Sequence, residues 1–252
     1  KEYRRQRQMC IRDRPLYVEK LLQEAKGVAE LLRDNNKEIE TLYIGGGTPT
    51  TLSPEEMETL IKGLFKEFDL SNIKEFTVEA GRPDTINREI LEVLKKHGVS
   101  RISINPQTMN DETLQKVGRK HSVNDIIECF QLARELGFDN INMDIILGLV
   151  DENLAMVENT LKEIEKLSPE SLTVHTLAVK RTSKLKENID NYELTQFDEM
   201  TKMIDLSMKY AKKMGLNPYY MYRQKHMLGN LENIGYAKEG YECIYNLSLI
   251  HI

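Results

Sequence analysis

Apolar residues recur at helical spacing from Tyr17 to about Leu32: Leu21, Leu22, Ala25, Val28, Ala29, Leu31 and Leu32 predict an amphipathic helix. The run IETLYI (Ile39 to Ile44) is short, apolar and β-prone, and it stops at three consecutive glycines as a buried strand would. A second helix opens at Ser53-Pro54-Glu55-Glu56, with Ser53 as N-cap, Pro54 in the first turn and Glu56 closing a capping box. The unit then repeats. Further strands are expected at EFTVE (75–79), RISIN (101–105), INMDII (141–146) and SLTVHT (171–176), with helices at 87–97, 122–136 and 153–167 between them. Strands spaced about 30 residues apart and alternating with helices call for a parallel sheet with crossover helices, and a complete or partial β/α barrel is favoured over an open doubly wound sheet. A later helix is expected over 195–214. The stretch NPYYMYRQKHMLGNLENIGY after it carries no assigned element, and Asn188–Asn191 reads as the most loop-like segment.

Composition narrows the class of function. The 252 residues carry a net charge of −5 with both signs interspersed, so no basic footprint of a nucleic-acid binder is visible. No apolar run approaches the roughly 18 residues of a membrane-spanning helix and no signal peptide is evident, which places the expected protein in the cytoplasm, with neither nucleic acid nor membrane as partner. Cys10, Cys129 and Cys243 lie far apart and form no ligand pair or disulfide framework.

The ends read differently. Residues 1–14 hold six basic and two acidic side chains, leaving −9 for the rest, and show no periodicity. RQRQMCIRDR there and LSLIHI at 247–252 both look like translated sequencing-adapter sequence, so both are set apart as non-native segments and the natural protein is expected to continue beyond each. Residues 15–216 are then the barrel domain, and 217–246 begin a C-terminal region.

Ligands of β/α folds sit at the carboxyl ends of the strands. Those ends are polar here: Gly45, Gly46, Gly47 and Thr48, then Glu79, Asn105 and Gln107, Asp144, and His175 with Thr176. The glycine run alone is a weak motif, lacking both the GK[ST] of a phosphate loop and GxGxxG. Glu79 could cap a helix, Asp144 could sit in an ion pair, His175 could be a satisfied core histidine and Arg119 a solvated charge. Together they suit a small zwitterion: glycine backbone for close approach, guanidinium for a carboxylate, carboxylate and amide for ribose hydroxyls.

The segments YIGGGTPT, FTVEAGRPDTI, RISINPQTMNDETLQKVGRKHS, GFDNINMDIILGL and YYMYRQKHMLGNLENIGYA together resemble the radical S-adenosylmethionine (SAM) family of oxygen-independent coproporphyrinogen III oxidases, in its dehydrogenase branch. GGGTPT is shared with the related heme chaperones. The resemblance spans about 16–246 and implies a partial (β/α) barrel of the radical SAM type with a [4Fe-4S] cluster on a CxxxCxxC loop. There SAM is cleaved to a 5′-deoxyadenosyl radical, and two propionates of coproporphyrinogen III become vinyls, giving protoporphyrinogen IX for heme biosynthesis. It implies SAM contacts from Gly46, Gly47, Thr48, Glu79, Gln107, Arg119 and Asp144, and from the Ala178 backbone near the adenine. Partners would be the tetrapyrrole substrate and an electron donor. Basic residues near the rim, Arg82 first and then Arg101, Lys180 and Arg223, are candidates to pair with substrate propionates.

Two departures bear on this expectation. CxxxCxxC should precede the first helix, yet only Cys10 stands there, so the chain reads as a fragment truncated at the first strand, with no cluster ligands, no assignable catalytic residue and no expected activity by itself. GLVDE (148–152) replaces the family's usual Gly-Leu-Pro-Gly-Glu. The rival reading is a heme-binding chaperone on the same fold.

Overall fold

A computed structural model of the chain describes residues 13–178, 196–223 and 231–249. Among them, in chain order, are α1 (Arg14–Asp34), β1 (Thr41–Ile44), α2 (Pro54–Glu67), β2 (Glu75–Glu79), α3 (Arg88–Lys96), β3 (Arg101–Gln107), α4 (Asp111–Lys116), α5 (Val123–Glu135), β4 (Ile141–Leu147), α6 (Leu154–Leu167), β5 (Ser171–Thr176), α7 (Phe197–Lys213), β6 (Asn217–Tyr222), β7 (Asn233–Ala237) and α8 (Ile244–Ser248). Asn188–Asn191 and Lys180 lie outside the described residues, as does Cys10.

The helix starts follow from local chemistry. At α2 the Ser53 hydroxyl accepts from the Glu56 amide at 3.2 Å while the Ser53 amide donates to Glu56 Oε2 at 2.8 Å. Ser122 and Asp125 make the same reciprocal pair at α5. Asn87 and Asn153 cap α3 and α6 through their side-chain oxygens. Each cap satisfies a donor that the helix leaves orphaned, worth about 1 kcal/mol.

The strands form one sheet of order β1-β2-β3-β4-β5-β7-β6. β1 through β5 pair in parallel. β7 and β6 then add antiparallel to the β5 edge. The sheet is a partial barrel of the radical SAM type, with the helices outside. The five parallel strands stand where the apolar periodicity put them. β6 and β7 were not expected, because NPYYMY reads as aromatic and polar without alternation and NIGYA contains a glycine. The chemistry that makes them a pair is local: a Cβ at Gly235 would collide with the Tyr220 ring, so the glycine lets the tyrosine lie across β7. The sheet therefore continues past residue 217.

Every parallel strand alternates between two environments. Leu42 and Ile44, Phe76 and Val78, Ile102 and Ile104, Met143 and Ile145, and Leu172 and Val174 join the apolar core beneath the helices. Their neighbours in sequence, among them Tyr43, Glu79, Arg101, Ser103, Asn142, Asp144, Thr173 and His175, face the barrel interior. Period-two alternation separates the two sets, so one strand serves a core and a cavity at once. The GLVDE departure also has a structural counterpart: Asp151 has φ +57°, a left-handed backbone that favours glycine, the residue the family pattern carries there.

Candidate functional site

The carboxyl ends of the strands open on a cavity of about 590 Å³. Its rim is Gly45, Gly46, Glu79, Asp144 and His175, and its wall descends through Ser103, Asn142 and Thr173 to Arg101. Tyr43, Tyr220, Tyr222 and Tyr245 supply the aromatic surface.

The glycine loop is fastened to Glu79. The Gly46 amide donates to Glu79 Oε2 at 3.1 Å, and the Tyr43 hydroxyl donates to Glu79 Oε1 at 2.7 Å. A Cβ at Gly45 would stand 3.0 Å from Glu79 Oε1 and 2.5 Å from the Tyr43 ring, so only glycine allows this approach. Gly46 and Gly47 have φ +77° and +48°, which turn the chain off β1 across the barrel mouth. Burial first, and then the Glu79 charge, push the Tyr43 phenol well above its ordinary range, so it stays a donor.

Asp144 lies across the mouth. It accepts from Asn142 Nδ2 at 2.6 Å, and His175 Nε2 stands 3.8 Å from its other oxygen. Burial would raise the Asp144 carboxyl, but hydrogen bonding and charge from His175, with bonds from Asn142 and Thr173, outweigh it and hold the group below the usual carboxylate range. His175 Nδ1 is within 3.0 Å of the Tyr222 hydroxyl, and Tyr222 stacks on Tyr220. Asn142 also donates to Ser103 at 2.8 Å and accepts from Thr173 at 3.2 Å, so the wall below Asp144 is a bonded polar ladder.

The sequence-derived candidates fall into two groups. Gly46, Glu79 and Asp144 line the cavity together. Gly47 and Thr48 continue the loop just outside it, with the Thr48 hydroxyl turned back onto the Gly47 carbonyl at 2.8 Å. Gln107 is buried at φ +69°, its amide donating weakly to the Asn105 carbonyl at 3.4 Å. Ala178 follows β5, half-buried in an isolated bridge. Arg119 and Arg82 stand apart from the cavity lining beside Asp84, which takes both ends of the Arg82 guanidinium at 3.0 and 2.8 Å. Burial and the Arg82 charge lower the Arg119 pKa against the pull of Asp84.

Sequence reasoning overlooked Tyr43, Ser103, Asn142 and Thr173 by reading strand ends alone. The signal was in phase: each lies an even number of residues from a rim residue on its own strand, which points it to the same face.

This arrangement, a glycine turn clasped by a carboxylate over a polar-walled partial barrel, coincides with what the comparisons find. The Radical SAM superfamily model matches residues 3–164. The chain belongs to the radical SAM superfamily. Among its relatives, the oxygen-independent coproporphyrinogen-III oxidase-like protein HemZ of Bacillus subtilis (strain 168) is 46% identical over 228 residues, covering 90% of this chain and 46% of that protein. The heme chaperone HemW of the same organism is 30% identical over 235 residues, covering 92% of the chain and 58% of the chaperone. The chain thus spans about half the length of the curated relatives it matches. In fold it is similar to coproporphyrinogen III oxidase (HemN) from Escherichia coli, with a TM-score of 0.75 at 24% identity over 90% of this chain and 49% of that one.

Members of this superfamily use SAM and a [4Fe-4S] cluster. The cavity fits the first: a glycine turn at its mouth with open space beside Gly46 and Gly47, acceptors at Glu79 and Asp144, and an aromatic wall. For the cluster, no group of three or more His, Cys, Asp or Glu side chains able to hold a metal occurs among the described residues. Cys129 and Cys243 are both buried, one directed to the Pro83 carbonyl and the other to Glu75. Nor, among the described residues, is any helix long and apolar enough to cross a membrane.

Proposed function

We propose that this chain is the SAM-binding half of an oxygen-independent coproporphyrinogen III oxidase-like enzyme acting in the cytoplasm on tetrapyrrole propionates. The observation that carries the reading is the convergence of the Gly46 turn, Glu79 and Asp144 on one cavity. Gly46, Gly47 and Thr48 would face the methionine part of SAM, and Glu79 and Asp144 would accept from its ammonium and ribose hydroxyls. Gln107, Arg119 and the Ala178 backbone complete the expected cofactor contacts. When bound and reduced at an iron–sulfur cluster, SAM supplies hydrogen-atom abstraction. The chain's own residues orient it: Tyr43 and the Gly46 amide fix both Glu79 oxygens, and His175 with Asn142 keeps Asp144 ionised as an acceptor. The described residues provide no cluster ligands. Arg82, tied to Asp84, is the less favourable of the proposed propionate partners.

Equilibrium dialysis of the 252-residue chain with radiolabelled SAM tests this. Saturable one-to-one binding that weakens in Glu79→Ala and Asp144→Ala supports it, and unchanged binding in both variants would refute the site. The heme chaperone similarity favours a second reading, in which the barrel carries heme without transforming it. Tight heme binding by the longer natural protein, with no carbon dioxide released from coproporphyrinogen under anaerobic reduction, would select that alternative.

A further inference from the structure

The cavity floor holds a cation that the SAM contacts leave unused. Arg101 opens β3, four residues below Asn105 on the inner face, which puts its Cα roughly 13 Å beneath that residue. It is 2% exposed and lines the cavity. One terminal nitrogen donates to the Ser171 hydroxyl at 3.1 Å, whereas the buried Nε has no hydrogen-bond partner. No ion pair reaches the guanidinium among the described residues. Glu75, the carboxylate whose field it feels, is occupied elsewhere, accepting from the Ile244 amide at 2.8 Å and facing the Cys243 thiol at 3.4 Å. The register partner of Arg101 on β2, Thr77, is also fully buried with an unpartnered hydroxyl. Burial disfavours the guanidinium charge, but acidic neighbours, Glu75 among them, outweigh it, so what stays incomplete at this floor is hydrogen bonding, at Nε and at the Thr77 hydroxyl.

We propose that Arg101 is the receptor for a ligand carboxylate that descends the polar wall of the cavity, and that this carboxylate is a propionate of the tetrapyrrole rather than the carboxylate of SAM. The inference rests on the tetrapyrrole reading above and adds to it the group that selects acids over neutral analogues. Depth distinguishes the two carboxylates: SAM is held at the rim by Gly46, Glu79 and Asp144, whereas Arg101 lies at the opposite end of the ladder formed by Asn142, Ser103 and Thr173. A guanidinium with one terminal nitrogen anchored on Ser171 is preset in orientation, which suits a planar carboxylate.

The test measures binding of coproporphyrin III, its uncharged tetramethyl ester and SAM to the 252-residue chain and to Arg101→Met and Arg101→Lys. The wild-type chain is expected to bind the acid at least about tenfold more tightly than the ester. Arg101→Met should lose that preference while holding SAM within about twofold, and Arg101→Lys, which keeps the charge without the planar fork, should retain part of it even if the methionine variant fails to fold. Equal weakening of acid and ester, or an unchanged preference in both variants, would assign Arg101 to structure alone. Loss of SAM binding would reassign the carboxylate to SAM and overturn the proposal. Failure of the wild-type chain to bind either porphyrin would remove the tetrapyrrole reading, and this proposal with it.

Discussion

The two faces of the parallel sheet are built from the same strands and behave as different materials. On β3, Ile102 and Ile104 are fully buried in the core while Arg101 and Ser103, which alternate with them, point into the cavity. The interior of a closed β/α barrel is ordinarily filled with branched apolar side chains. Here it is a ladder of hydroxyls, amides and carboxylates around open volume. On the proposed function, packing falls to the outer face and ligand recognition to the inner one, so neighbouring residues should respond to substitution in different assays.

The largest effect is expected on the outer face. Ile104→Ala removes a side chain with no exposed surface and should destabilise the fold by about 2–5 kcal/mol, read as a lowered denaturation midpoint, whereas Ser103→Ala should stay within about 1 kcal/mol. Equal losses at the two positions would break the comparison. Next is Glu79→Ala on the inner face. It removes the acceptor for Tyr43 and Gly46 and, at the ~1.5–3 kcal/mol of a charged hydrogen bond, should weaken SAM about 10- to 150-fold in a calorimetric titration.

A smaller effect tests the seam between the β3 and β4 loops. Glu152 is buried and accepts from Thr108 at 2.5 Å and Asn110 at 3.0 Å, with no basic partner among its described contacts. Burial raises its pKa despite those bonds. The folded state therefore holds the proton more tightly than the unfolded state, and this stabilising contribution, full below the unfolded carboxyl range, is lost as pH rises through the folded pKa. Glu152→Gln, which preserves the acceptor, should raise the neutral-pH Tm by roughly 2–4 °C, the shift that ~1 kcal/mol gives in a chain of this size, and the gain should shrink in acid. A variant less stable than wild type at neutral pH, or a gain that grows in acid, would reverse the sign. Smallest is the response of the thiols. Burial pushes Cys129 and Cys243 up to about 11, so both should label slowly with iodoacetamide at pH 7 and rapidly in urea, as peptide mapping would record.

The outer face was legible in the sequence because packing enforces periodicity. Leu91 and Leu94 on α3 and Ile102 on β3 repeat at the spacings of their elements, and Ser53 and Asn87 mark helix starts chemically. The place of Gly46, Glu79 and Asp144 on the cavity was readable as well, since the first two break apolar runs at strand ends and Asp144 interrupts one within β4. Less was readable where contacts are long-range. The Tyr43–Glu79 bond links residues 36 apart, and β7 crosses back to β5 from a segment with no strand-like alternation. The pairing of Arg82 with Asp84, two residues on, is likewise not signalled by residue type alone.

On the proposed function the polar inner face binds SAM. The chain has no tryptophan, and four of its 11 tyrosines line the cavity, so intrinsic tyrosine fluorescence reports on that face directly. Titrating SAM into the wild-type chain and into Asp144→Ala is predicted to give a saturable change in the first and at least a tenfold weaker one in the second. Saturation at the same concentration in both, or no change in the wild-type chain, would contradict it.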